Sequence, residues 1–176
     1  MSTTRLFFRA LRTALLFTAV GAVDGCGLIS FDTTVDIAPQ VVPGNPAAAA
    51  AGVPATVVMS QIALNSSDLP GDAGLADSVK LNHLTLTVTA PADATLDFLT
   101  ELTLTVVAPS SSTLLTRQLA AGAPAKGARQ MTLKATSDVD LLPYVSAGAF
   151  VQAVGTGTSP TVDTTVAGQA VLTVSL

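Results

Sequence analysis

Two stretches decide the fold: Leu84–Pro91, LTLTVTAP, and Leu102–Pro109, LTLTVVAP, which start eighteen residues apart and differ at one position. In the first, Leu84, Leu86 and Val88 fall on one face and Thr85, Thr87 and Thr89 on the other. An apolar period of two is the pattern of a half-buried strand. Threonine at the outer positions suits a pleated surface in contact with water. Two copies are too few for a solenoid, so they read as two similar strands of one sheet.

Working outward, Val79 and Leu81 are apolar in the opposite parity to Leu84. A strand over 79–90 therefore needs one extra residue, a β-bulge, near Asn82 and His83. Phe31–Ile37 alternates too, with Phe31, Thr33, Val35 and Ile37 on one face. Further strands are expected at 55–64, 113–119, 129–136, 149–154 and 167–176. Residues 38–54 contain four prolines and a run of five alanines. Proline at 46 and 54 leaves room there for a single helical turn inside a loop. Residues 138–146 form a second short helical turn, with Asp138 as its N-cap.

Short alternating segments separated by turn residues indicate an all-β protein, an antiparallel β-sandwich of about 7–9 strands with an immunoglobulin-like arrangement. A small β-barrel is the alternative. Residues 31–176 have the length of a single domain.

The first residues read differently. MSTTRLFFRALR carries Arg5, Arg9 and Arg12 and no acid, and residues 13–23, TALLFTAVGAV, carry no charge. A basic region followed by a short apolar run is the pattern of a secretory signal peptide over residues 1–25. The run is shorter than the roughly 18–20 residues that a membrane span requires. Cys26, the only cysteine, follows directly. Val23-Asp24-Gly25-Cys26 resembles the lipobox of bacterial membrane lipoproteins, with Asp24 standing where a small uncharged residue is usual. The resemblance implies cleavage before Cys26, a diacylglycerol on its thiol and a fatty acyl chain such as palmitate on its new amino group. Residues 26–30 then become a short tether. Gly27 in place of an aspartate implies the outer membrane. The rest of the chain is similar to immunoglobulin-like envelope lipoproteins in general character only.

Charge supports a covalent anchor. Removing residues 1–25 takes three of eight basic residues and one of twelve acidic ones, leaving five against eleven and a net charge of −6. Such a domain repels nucleic acid phosphates and anionic head groups alike. An acyl chain would hold it by about 0.8 kcal/mol per buried methylene.

Catalytic motifs are scarce. His83 is the only histidine, which removes His-rich zinc sites and leaves one base for any serine triad. There is no Gly-x-Ser-x-Gly elbow, and the glycines of 154–160, VGTGTSP, lack the lysine of a phosphate loop. His83 reads as an ordinary residue at a bulge. Asp97 and Glu101 would form a carboxylate pair if DFLTE made a helical turn. Calcium has candidate ligands in Asp68 and Asp72, in Asp93 and Asp97, and in Asp138, Asp140 and Asp163, although no EF-hand spacing is present. A flat threonine array of the ice-binding kind needs more rungs than two similar strands supply.

The expectation is a non-enzymatic, lipid-anchored envelope protein without a cofactor. It would meet the bilayer through acylated Cys26 and a protein partner through an exposed patch or sheet edge. A small-ligand or calcium-binding sandwich is the alternative, followed by a hydrolase using Asp97 and Glu101 or His83.

Overall fold

The two near-identical stretches do not share a sheet. The computed structural model describes residues 29–59, 62–63 and 76–176. Along the chain lie β1 (Ser30–Val42), α1 (Pro46–Ala50), β2 (Pro54–Val58), β3 (Ile62–Ala63), β4 (Ser78–Ala90), β5 (Leu99–Val107), β6 (Arg117–Gly122), β7 (Gln130–Lys134), α2 (Leu142–Ser146), β8 (Phe150–Thr158) and β9 (Thr164–Ser175). One sheet has the order β1-β9-β4-β7 and the other β2-β8-β5-β6, with β3 also pairing β8. Every pairing is antiparallel. The first copy is therefore in β4 and the second in β5, third in the order of opposite sheets.

Their apolar faces meet across the interior. Leu84, Leu86 and Val88 are buried on β4, as are Leu102, Leu104 and Val106 on β5. Residues 91–98 carry the chain from one sheet to the other, and an apolar inner face serves equally well on either side of the core. The expected all-β antiparallel sandwich is what the chain forms, and among the described residues neither sheet closes into a barrel. Counting β2 and β3 as one edge position, each sheet holds four strand positions. An eight-strand, two-sheet sandwich with this alternation is a jelly roll. Its order departs from the immunoglobulin arrangement, which places four strands in one sheet and three in the other.

The expected bulge is present: the β4–β9 register shifts between Leu81 and His83, leaving Asn82 without a partner residue on β9. That extra residue lets Val79, 0% exposed, and Leu84, 1% exposed, both face inward. β1 runs further than its alternation suggested, into the proline-rich segment. Its register to β9 shifts between Ile37 and Gln40, across Ala38 and Pro39. A proline is tolerated there because β1 is an edge strand, where a missing N–H costs no ladder bond. The helical turn is α1, whose N-cap Asn45 accepts a hydrogen bond from Ala48 N at 3.0 Å. The second turn is α2, and the residue that accepts its leading N–H is not Asp138. Asp140 Oδ1 takes the Leu142 N–H at 3.0 Å, because the turn starts later than expected.

The sandwich has two distinct ends. Ser30, Ser78 and Ser175 meet at one, which we call the entry end. At the other, the loops 43–53, 91–98, 123–129 and 159–163 gather.

Candidate functional site

The gathered loops are tied together by side-chain carboxylates. Asp163 Oδ1 accepts the Gly44 N–H at 2.8 Å, across 119 residues of sequence. Asp97 Oδ1 accepts the Gly127 N–H at 2.6 Å. Backbone bonds complete the lacing: Asn45 N to Pro160 O at 2.8 Å, Leu96 N to Ala128 O at 2.7 Å and Thr158 N to Phe98 O at 2.8 Å. Gly44 belongs to this contact for a steric reason, since a Cβ there would collide with the Val162 backbone.

Between these loops lies a cleft of about 380 Å³, whose lining includes Asp93, Thr95, Asp97, Phe98, Thr158, Ser159, Thr161 and Thr164. Phe98 is buried and supplies an apolar wall, and Thr164, 1% exposed, donates its hydroxyl to Val162 O at 3.0 Å. Asp93 is exposed at the rim. The cleft thus offers hydroxyls and carboxylate oxygens beside one aromatic ring, a surface able to hydrogen-bond a polar group. A second cleft of about 230 Å³ runs along the seam between the β1 and β2 edges, with Val42, Pro43, Val57 and Met59 in its lining.

The residues expected to carry chemistry are dispersed. His83 sits half-buried at the β4 bulge, with Nδ1 3.2 Å from Asn82 Oδ1. The helical turn that would pair Asp97 with Glu101 does not form. Asp97 occupies a turn, β5 begins at Leu99, and Glu101 is an exposed position on that strand. Extended backbone advances about 3.3 Å per residue and carries the two carboxylates apart along the chain.

Among the calcium candidates, Asp93, Asp97 and Asp163 lie at the loop end, and Asp138 and Asp140 lie toward the entry end. The Asp138 side chain is 97% exposed, with Oδ1 3.7 Å from Lys80 Nζ. Asp140 is spent on the backbone: its Oδ1 also accepts the Val79 N–H at 2.9 Å. Among the described residues no three His, Cys, Asp or Glu side chains converge as metal ligands. Asp68, Asp72 and Cys26 lie outside the described residues.

Asp140 gives a prediction. Asp140→Ala strips the acceptor from two backbone donors and is expected to cost about 1–3 kcal/mol. Asp140→Asn keeps a carbonyl acceptor and should recover most of that in urea unfolding. Equal losses for the two variants would show that the carboxylate is not the tie between β4 and the α2 segment.

Sequence reasoning placed the aspartates in turns but missed their role as loop ties. The signal available was weak: Asp163 and Gly44 each sit in a turn-like stretch, and nothing local joins them.

No protein-family model matches the chain, and no curated protein is similar to it. Among solved structures, the decameric BFDV capsid protein aligns with a TM-score of 0.46 at 9% identity, over 84% of this chain and 98% of that one. The 60-mer form of the BFDV capsid protein gives 0.45 at 10% identity, over 85% and 93%. A mud crab tombus-like virus structure gives 0.32 at 12% identity, over 100% and 94%. At these values the likenesses carry nothing about function, and the jelly-roll assignment rests on strand order.

Proposed function

We propose that this is a lipid-anchored protein of the bacterial cell envelope, exported by its first 25 residues and held by acylated Cys26. In this reading it acts as a structural or protein-interaction module of the outer membrane. The resemblance of Val23-Asp24-Gly25-Cys26 to a lipobox introduces the idea. The observation that carries it is the place where the chain enters the sandwich. Ile29 lies at the end opposite the loop cleft, where Leu176 N donates to Ile29 O at 2.8 Å.

Two residues, Gly27 and Leu28, lie between Cys26 and Ile29, and the three Cα-to-Cα steps reach at most about 10 Å. An acylated Cys26 would therefore stand the sandwich on its entry end. Among the described residues, Ile29 at 69%, Leu115 at 64% and Leu176 at 40% are large apolar side chains exposed there. The thirteen residues of β1, at about 3.3 Å each, would hold the loop end about 40 Å away from them. The cleft and its tied loops would then face outward, toward a partner.

The test is palmitate labelling and membrane fractionation of the full chain in a bacterial host. The wild type is expected to take label and sediment with membranes. Cys26→Ser should abolish labelling and leave the protein in the soluble exported fraction. A wild type that takes no label and remains soluble overturns the anchor.

A further inference from the structure

The four sheet edges are not alike. β7 and β2 have five residues each and β6 has six. β6 is further closed by the chain after β7, through Thr136 N to Leu119 O at 2.8 Å. β2 begins on a proline. β1 is different. From Ser30 to Ile37 it pairs with β9 without a register shift, and its other side has no strand partner among the described residues. Alternate N–H and C=O groups on that side are a template for one more strand.

The side chains beside this edge limit what can add. On the outer face stand Asp32 and Asp36, both exposed and four residues apart. β9 holds them in place: Thr173 Oγ1 donates to Asp32 Oδ1 at 2.6 Å, and Gln169 Nε2 donates to Asp36 Oδ1 at 3.1 Å. A second copy of β1 pairing antiparallel about Thr34 would set Asp32 opposite Asp36 twice. Cross-strand neighbours lie about 4.5–5.5 Å apart, so that register opposes like charges. On the inner face Phe31, Val35 and Ile37 are only half-buried and pack at the margin of the core. An incoming strand would complete their cover if it carried apolar residues at alternate positions.

We infer that β1 is a docking edge for an extended segment of another protein, which adds antiparallel beside Ser30–Ile37. Its outer face carries Lys or Arg at two positions four residues apart, opposite Asp32 and Asp36. Its inner face is apolar and β-branched. Pro39 and the register shift end the docking edge beyond Ile37. This inference rests on the reading of the protein as an interaction module and not on its lipid attachment.

The probe is the peptide TVKVTVKVT, with TVEVTVEVT as its charge-reversed control, titrated into the purified full chain by fluorescence anisotropy. Amide hydrogen exchange is followed in parallel. The lysine peptide is expected to bind and to slow exchange at Ser30–Ile37, and the glutamate peptide to bind at least about five-fold more weakly, as two opposed charge pairs imply. The double variant Asp32→Lys, Asp36→Lys should invert that preference. Binding unchanged by the charge swap, protection confined to other strands, or no binding of either peptide overturns the docking edge. Self-association that protects β1 without peptide overturns it in favour of a second copy. Palmitate labelling of the same chain reads the anchor separately, so the two ideas fail by different results.

Discussion

Leu102→Ala is expected to lower the unfolding free energy by about 2–5 kcal/mol, a large part of the roughly 5–15 kcal/mol that holds a domain of this kind together. Leu102 is 0% exposed on the central strand β5. Its cross-strand partners are Gly122 on β6 and Gly155 on β8. Neither glycine has a side chain to swing into the space that alanine would leave, so the cavity stays open, and cost rises with residual cavity volume. Leu115→Ala is the matched control, because Leu115 is 64% exposed, and surface changes of this kind stay within about 0.5 kcal/mol. Urea unfolding of the two variants gives both numbers. Losses of similar size would mean that β5 is not the middle of the core.

Gly157→Ala is the second large effect, and it works by crowding. A Cβ at Gly157 would strike Phe98 O and sit 2.9 Å from Thr100 N and 3.0 Å from Leu99 Cα. All three are backbone atoms, held where the β5–β8 register shifts between Leu99 and Glu101. The ladder itself would have to move, for a loss of about 3 kcal/mol. At about 2–4 °C per kcal/mol, that lowers the melting midpoint by about 6–12 °C. Gly155→Ala is the comparison, since its nearest obstacle is Leu99 Cδ2 at 2.6 Å, the end of a side chain that can rotate. A Gly155 variant as damaged as the Gly157 one would show that side-chain adjustment offers no relief in this ladder.

Both variants depend on the partition of strands between sheets, and there the sequence was only partly legible. The face each strand buries was readable from Leu84, Leu86 and Val88, and from Phe31, Val35 and Ile37, because alternation is a property of adjacent residues. The bulge at Asn82 was readable for the same reason: two apolar parities in one strand require a residue between them. Strand ends were less so. β1 continues through Pro39 because an edge position forgives the missing donor, and being at the edge is a property of the assembled sheet. The β6 strand starts at Arg117 rather than 113. The turn before it is tied instead to α2, where Tyr144 Oη donates to Leu115 O at 2.6 Å.

The site divided in the same way. Turn aspartates were visible as residue types in turn-rich stretches. Whether an aspartate faces a ligand or a neighbouring backbone donor is decided by the loop packed against it. Asp163 ties to Gly44, Asp97 to Gly127 and Asp140 to Val79 and Leu142. The notion that Asp97 and Glu101 form a pair assumed a helical turn. The strand beginning at Leu99 replaced it, because Leu99, Leu102 and Leu104 bury more apolar surface as β5 than one isolated turn could cover.

By itself, the sequence determined that this is an all-β chain, which residues of β4 and β1 share a buried face, where β4 needs its extra residue and that the segment between Pro46 and Pro54 has room for a single helical turn. Only the tertiary structure decided that the two LTLT stretches oppose each other across the core, that the strands follow a jelly-roll order and that β1 stands at the end of its sheet among the described residues. The physical reason is the reach of the forces involved. Alternation and capping act between residues a few positions apart. Sheet membership is set by partners brought from far along the chain, and two equal apolar faces satisfy the core from either side.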